Sequence, residues 1–131
     1  MKKEYFYIGK LFRNKITKKM QDQGAEFESR ILRDDEIIPI LIDKLIEEAK
    51  ELQKVDPKDK KKFREEMADI KTVLKNIGES NDITEEELNE EAKQKKEKLG
   101  DFSERIFVEK AGIEENDPWL EYYRNNYKKV E

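Results

Sequence analysis

Two groups of carboxylates are the residues in this chain best suited to chemistry. Glu47, Glu48 and Glu51 form an EExxE cluster, and Glu66 and Asp69 form an ExxD cluster further along. Both fall in segments with helical periodicity. Ile37, Ile38, Leu41, Leu45, Ala49 and Leu52 recur at spacings of three and four, and Phe63, Ile70, Val73 and Ile77 do the same. On a helical wheel Glu48 projects within roughly 20° of Leu41, inside the apolar stripe, while Glu51 lies at its edge and Glu47 further round. Glu66 falls within the second stripe, and Asp69 lies some 40° from Val73. An unpaired buried carboxylate costs several kcal/mol or neutralises through a pKa shift, so acids converging on one place call for a cation. Oxygen-only ligands indicate Mg2+, or Mn2+, and Mg2+ commonly takes protein carboxylates together with substrate phosphates. The plain alternative is a solvated Glu-rich helix face, which a chain with 32 acidic residues produces by chance.

The elements that must position these acids can be read from caps and breakers. A short helix is predicted over residues 13–22, ended by Gly24. The first long helix is capped by Asp34 or Asp35, with Pro39 in its first turn, and runs to about residue 54. Asp56 and Pro57 are a cap and first helical residue for the next helix, which should end at Ile77 before Gly78. Thr84 with Glu87 forms a capping box that opens a further helix to about Lys98, closed by Gly100. Two antiparallel helices joined by a short turn would bring the two carboxylate pairs together, as in helix-bundle metal sites. Residues 26–32 and 105–109 read as short extended segments that could pair. After Gly112, Asp117 and Pro118 start a helix with an aromatic stripe of Trp119, Tyr122, Tyr123, Tyr127 and Val130. That stripe either packs on the body of the protein or a neighbouring subunit, or stacks on a nucleobase. The expected fold is therefore an all-α helical bundle with a possible short β pair and a C-terminal helical extension, divided at 1–110 and 111–131.

Composition narrows the chemistry. The 131 residues are 46% charged and 35% hydrophobic, a thin apolar supply for a self-sufficient globule, so a homodimer or higher homo-oligomer is expected. The net charge of -4 argues against a nucleic-acid polymer as partner. The chain has no cysteine and no histidine, which removes thiol chemistry, zinc–thiolate sites, Ser-His-Asp triads and the usual general base. No apolar run approaches a membrane span and the N-terminal stretch is too polar for a signal peptide, so a cytoplasmic protein with no membrane partner is expected.

EExxE followed by ExxD resembles the motif of the all-α nucleoside triphosphate pyrophosphohydrolases, the MazG-like superfamily. The segment from Lys10 to Ile16 is similar to the KLVRDKI opening of its phosphoribosyl-ATP pyrophosphohydrolase-like, house-cleaning branch. Arg30, Ile31 and Leu32 with Asp34, Asp35 and Glu36 resemble that branch's lead into the metal helix, and Lys95 to Phe107 its KxxxRGGFxxRIF ending. The likeness spans about residues 10–109. Asn14 stands in place of the branch's Asp, and Leu99 and Asp101 in place of Arg and Gly of RGGF.

The resemblance implies a Mg2+-dependent hydrolase that converts a nucleoside triphosphate, NTP or dNTP, canonical or non-canonical, to the monophosphate and pyrophosphate. Glu48, Glu51, Glu66 and Asp69 would hold the metal, and Glu47, or one of the metal-binding acids in turn, would orient or deprotonate the attacking water. Arg13, Lys15 and Lys95 would contact phosphates, with plain surface charge as the alternative for each. Asn76, seven residues beyond Asp69, would contact substrate or a metal-associated water, or else make a helix-capping or interhelical bond. The rival expectations are a non-catalytic module of the same fold, binding nucleotide or driving oligomerisation, and a purely structural helical adaptor.

Overall fold

The structure, a computed structural model, describes residues 2–131. It is all-α, with α1 (Asn14–Asp22), α2 (Asp34–Gln53), α3 (Lys60–Ser80), α4 (Glu85–Leu99) and α5 (Leu120–Asn126). The chain forms two compact units, Met1–Gln94 and Lys95–Glu131, with the division inside α4. No helix among the described residues is long and apolar enough to cross a membrane.

The first unit is organised around α2 and α3, which pack against each other as an antiparallel hairpin. Leu41 on α2, Val73 on α3 and Val55 in the connection are buried, and Ile37, Leu45, Leu52, Phe63, Ile70 and Ile77 are half-buried around them. Apart from Val55 these are periodic positions of the two stripes, and of the stripe residues only Ala49 is exposed, so the apolar spacing has built the hairpin.

Helix boundaries depart from the sequence reading where two polar residues compete for one role. Arg33, not Asp34 or Asp35, occupies the N-cap of α2. The reason is Glu36, whose carboxylate accepts the Arg33 backbone N–H at 3.1 Å and is gripped by the Arg30 guanidinium at 2.9 and 2.7 Å. With that donor satisfied, Asp34, Asp35 and Glu36 all fit in the first turn, where negative charge suits the helix dipole. Pro39 consequently lies in the second turn, where its missing N–H withholds a bond from the Asp35 carbonyl, and it does so on the exposed side.

At the next boundary Asp56 makes a turn instead of a cap. Its Oδ1 accepts the Lys58 N–H and its carbonyl accepts the Asp59 N–H, both at 2.9 Å. Asp59 is the actual N-cap of α3, accepting the Lys62 N–H at 3.2 Å.

Gly78 does not stop α3, which continues to Ser80. It is buried inside the helix, and a Cβ built there would lie 2.8 Å from the Ile83 carbonyl oxygen. The missing side chain lets the returning chain approach, and the Ile83 N–H bonds the Gly78 carbonyl at 2.8 Å. The left-handed residue of this turn is Asp82, with φ 54°. The expected cap of α4 is present, with Thr84 Oγ1 accepting the Glu87 N–H at 3.1 Å. Gly100 closes α4 at φ 80°.

The expected β pair is absent, since no strand occurs among the described residues. In residues 105–109 the chain begins at Arg105 with φ 62°, a left-handed conformation incompatible with an extended strand. In residues 26–32, Phe27 instead packs edge-on against Phe12 with ring centroids 6.3 Å apart.

In the second unit α5 is shorter than the aromatic spacing suggested. Tyr127 is extended (φ -134°, ψ 150°), and Val130 lies beyond the helix and exposed. The rings close on one another: Tyr122 meets Trp119 at 5.6 Å and Tyr127 at 6.3 Å, and Tyr123 meets Tyr127 at 5.6 Å. Tyr127, the C-cap of α5, still bonds through its N–H to the Tyr123 carbonyl at 3.0 Å, and its ring stays beside those of the preceding turn.

Candidate metal centre

Glu48 on α2 and Glu66 and Asp69 on α3 converge. One carboxylate oxygen of each lies within 4.8 Å of the others, and all three side chains are half-buried. The placement follows from the packing. Glu48 stands between Leu41 and Leu52 on the stripe that faces α3, and Glu66 and Asp69, one turn apart, flank the stripe that faces α2. The side chains that weld the hairpin therefore also force three acids into one neighbourhood.

The Glu48 carboxyl is pushed above the ordinary carboxylate range, first by burial and then by the charge of Asp69. Lys44 opposes the shift, while Glu66 and Glu47 add to it. Two cations relieve the crowding. Lys44, one turn before Glu48, brings its Nζ 3.7 Å from Glu48 Oε1. Arg13, at the N-cap of α1, places Nη2 2.7 Å from Asp69 Oδ1. Together with Leu11, Phe12 and Ile16, these charged groups line a cavity of about 280 Å3.

Glu47 and Glu51 lie apart from this trio. Glu47 accepts a hydrogen bond from Lys10 Nζ at 3.0 Å and pairs with Lys44 Nζ at 3.4 Å. The Lys10 bond is the chief reason its carboxyl sits below the ordinary range, against the opposing effect of burial. Glu51 is exposed and paired with Lys54 at 3.2 Å. Both line a larger cavity of about 690 Å3, beside Lys10, Lys44, Lys50 and Lys54. Lys44 takes part in both cavities.

Of the remaining candidates, Arg13 is at the trio. Lys15 is exposed on α1 and takes part in none of the ion pairs found among the described residues. The Asn76 side chain donates to the Thr72 carbonyl at 2.9 Å, one turn back on its own helix. Lys95 is exposed on α4 and belongs to the second unit. Lys44 was not singled out from the sequence, although its spacing of four from Glu48 and three from Glu47 is the ion-pair spacing of a helix and would have found it.

Three oxygen ligands of adjustable geometry, partly withdrawn from water and mutually repelling, fit a hard divalent cation such as Mg2+. The site is also electrically satisfied to a degree by Arg13 and Lys44, so a metal would enter in competition with them. No protein-family model, curated protein or solved structure matches the chain.

Proposed function

We propose that this protein is a Mg2+-dependent nucleoside triphosphate pyrophosphohydrolase of the MazG-like kind, acting on an NTP or dNTP to give the monophosphate and pyrophosphate. The observation that carries the reading is the meeting of Glu48, Glu66 and Asp69 from two antiparallel helices, with Arg13 and Lys44 lining the cavity that Glu48 and Asp69 also line. The order of the acids in the chain, EExxE then ExxD, supports it. Carboxylates alone have no use for a triphosphate, whereas carboxylates beside cations suit a magnesium–phosphate ligand.

Glu48, Glu66 and Asp69 would hold the metal, with Glu51 able to join only by leaving Lys54. When bound, the metal would supply charge neutralisation of the phosphates and a lowered pKa for water. Arg13 and Lys44 would exchange their carboxylate partners for phosphate oxygens, and Arg13 offers the planar fork that suits them. Water attacks the α-phosphorus, the bond from that phosphorus to the bridging oxygen breaks, and pyrophosphate leaves with the electron pair. Glu47, or one of the metal-binding acids in turn, would take the water's proton; Lys10 and Lys44 hold Glu47 ionised and would have to release it for that role.

A second reading has its own support. Arg13 and Lys44 already pair with Asp69 and Glu48, so the acids can be held without a metal in a helical module that performs no hydrolysis. Incubation with a panel of canonical and modified NTPs and dNTPs plus Mg2+, assayed for pyrophosphate and orthophosphate separately, decides between them. Pyrophosphate release that depends on Mg2+ and is lost in Glu48→Gln is expected. No release from any substrate would leave the non-catalytic module, and orthophosphate alone would move the attack away from the α-phosphorus.

A further inference from the structure

Residues 2–27 are held to the α2–α3 hairpin by few polar contacts. Among the described residues, two ion pairs alone join them to α2 or α3: Lys10 Nζ to Glu47 Oε1 at 3.0 Å, and Arg13 Nη2 to Asp69 Oδ1 at 2.7 Å. Both end on acids of the candidate site, and Asp69 belongs to the trio itself. A segment tethered through the acids of a binding site has its position coupled to whatever those acids bind.

Little else fixes it in place. While α2 and α3 pack against each other, α1 packs to no comparable extent on any helix and has no buried residue. Its apolar hold is partial, since Phe12 and Ile16 remain 39% and 44% exposed. Exposed ion pairs are weak, so both tethers can be displaced. The segment is nevertheless one piece. Lys3 and Tyr5 both bond Glu26, at 2.7 and 2.9 Å, and Phe12 meets Phe27, tying the N-terminal stretch to the residues after α1. The next fixed point is Arg30, forked onto Glu36. Glu28 and Ser29 between them are exposed and make no hydrogen bond among those found, which makes them the pivot.

The same segment walls both cavities. Gly9 and Lys10 line the larger, Phe12 and Arg13 the smaller, and Leu11 both. With a divalent cation on the trio, Asp69 turns its charge to the ion and Arg13 faces a like charge, so that tether opens and Lys10 alone remains. With a polyphosphate on the ion, Lys10 and Arg13 both regain anionic oxygens as partners.

We propose that residues 2–27 form a flap, closed in the free protein by Lys10–Glu47 and Arg13–Asp69, released by a divalent cation, and closed again on the polyphosphate tail of a metal-bound substrate, with Lys10 a phosphate contact beside Arg13. This rests on the reading of the trio as a metal site that takes a triphosphate. Closed on substrate, the flap sets Leu11 and Phe12 against the site and excludes water from it.

Trypsin reads the flap in the intact chain, because cutting after Lys10 or Arg13 requires the side chain to leave its partner, and the rate follows the open population. Cleavage is followed by mass spectrometry at the bonds after Lys10 and Arg13, with those after the exposed Lys128 and Lys129 as controls. Saturating Mg2+ should speed the flap cuts about fivefold, the equivalent of one exposed ion pair, and leave the controls unchanged. Inorganic tripolyphosphate with excess Mg2+, a probe with no base, should return the rate to the metal-free value or below. Glu47→Gln/Asp69→Asn, its helix content checked by circular dichroism, should be cut fast without Mg2+ and no faster with it; the native chain decides alone where the variant does not fold. Flap cleavage that Mg2+ leaves unmoved, whether or not calorimetry finds the ion bound, would overturn the proposal. So would cleavage that tripolyphosphate fails to slow, or a folded double variant cut at the native rate. Release and recapture in a protein that hydrolyses no nucleotide keep the flap and remove the hydrolase; turnover with an unmoved flap does the reverse.

Discussion

The Arg13 guanidinium lies 2.7 Å from the Asp69 carboxylate, joining the start of α1 to the middle of α3 across a separation of 56 residues. The same carboxylate belongs to the trio that fits a divalent cation, so this cation and a metal are competitors for one oxygen pair. Arg13→Gln should therefore tighten binding of Mg2+ to the substrate-free protein, by about fivefold, the equivalent of an exposed ion pair of ~1 kcal/mol. Isothermal titration with Mg2+ measures this. In the hydrolase reading the same variant should lose about a hundredfold in kcat/KM, because a cation aimed at phosphate is removed. Opposite movement of metal affinity and turnover distinguishes a phosphate ligand from a residue that only holds the fold.

Metal binding should be traceable to the trio and not to the wider acid cluster. Ligand at ten times its Kd stabilises a folded protein by about 1.4 kcal/mol, which for a domain of this size is a melting shift of about 3–6 °C. Saturating Mg2+ should produce such a shift in the native chain and in Glu51→Gln, since Glu51 is turned out toward Lys54. Glu48→Gln should abolish it. Without metal, Glu48→Gln should melt no lower than the native protein, because burial and the Asp69 charge both work against the ionised Glu48. Differential scanning calorimetry with and without Mg2+ reads both effects.

The parts of this fold that were legible in the sequence are those that one helix decides for itself. Apolar spacing placed α2 and α3, and Thr84 placed the start of α4, because each signal acts within a turn or two of chain. The inward position of Glu48, Glu66 and Asp69 was legible for the same reason, being a wheel angle. What escaped were choices settled by a partner elsewhere in the chain. Arg30 decides the start of α2 by gripping Glu36, the Ile83 carbonyl decides what Gly78 is for, and Lys10 decides which way Glu47 turns. Each is a contact across a turn or a gap, and no periodicity reports it.

Gly78 offers a test of that point. In a helix interior, glycine to alanine ordinarily stabilises by up to about 1 kcal/mol. Here the added Cβ would meet a backbone carbonyl at 2.8 Å, and that carbonyl belongs to the residue whose N–H closes the turn onto Gly78. A side-chain tip could move aside cheaply, but this backbone cannot. Overpacking typically costs about 1–3 kcal/mol, so the clash wins. Gly78→Ala should lower the urea midpoint, and chemical denaturation followed by circular dichroism measures it. An unchanged or higher midpoint would mean that the α3–α4 turn yields freely.

Glu36 ties the segment before α2 to its first turn and should make that region sensitive to acid. Its carboxyl lies at about 2, held there first by hydrogen bonds from Arg30 and then by the Arg33 N–H. The folded pKa is thus below the unfolded value of about 4.3 for a glutamate. A group lowered in this way contributes its stability fully above the unfolded pKa and loses it as the pH falls through the folded one. Glu36→Gln removes the charge while keeping an acceptor for the Arg33 N–H. The variant should be less stable than the native chain at neutral pH, and the gap should shrink as pH falls from about 4.3 through 2, below which both carry a neutral side chain. Arg30→Gln should show the same convergence, since it deletes the other half of the pair. Parallel curves down to pH 2 would mean that the Arg30–Glu36 fork contributes nothing to the start of α2. Melting temperatures of the three proteins across that window decide it.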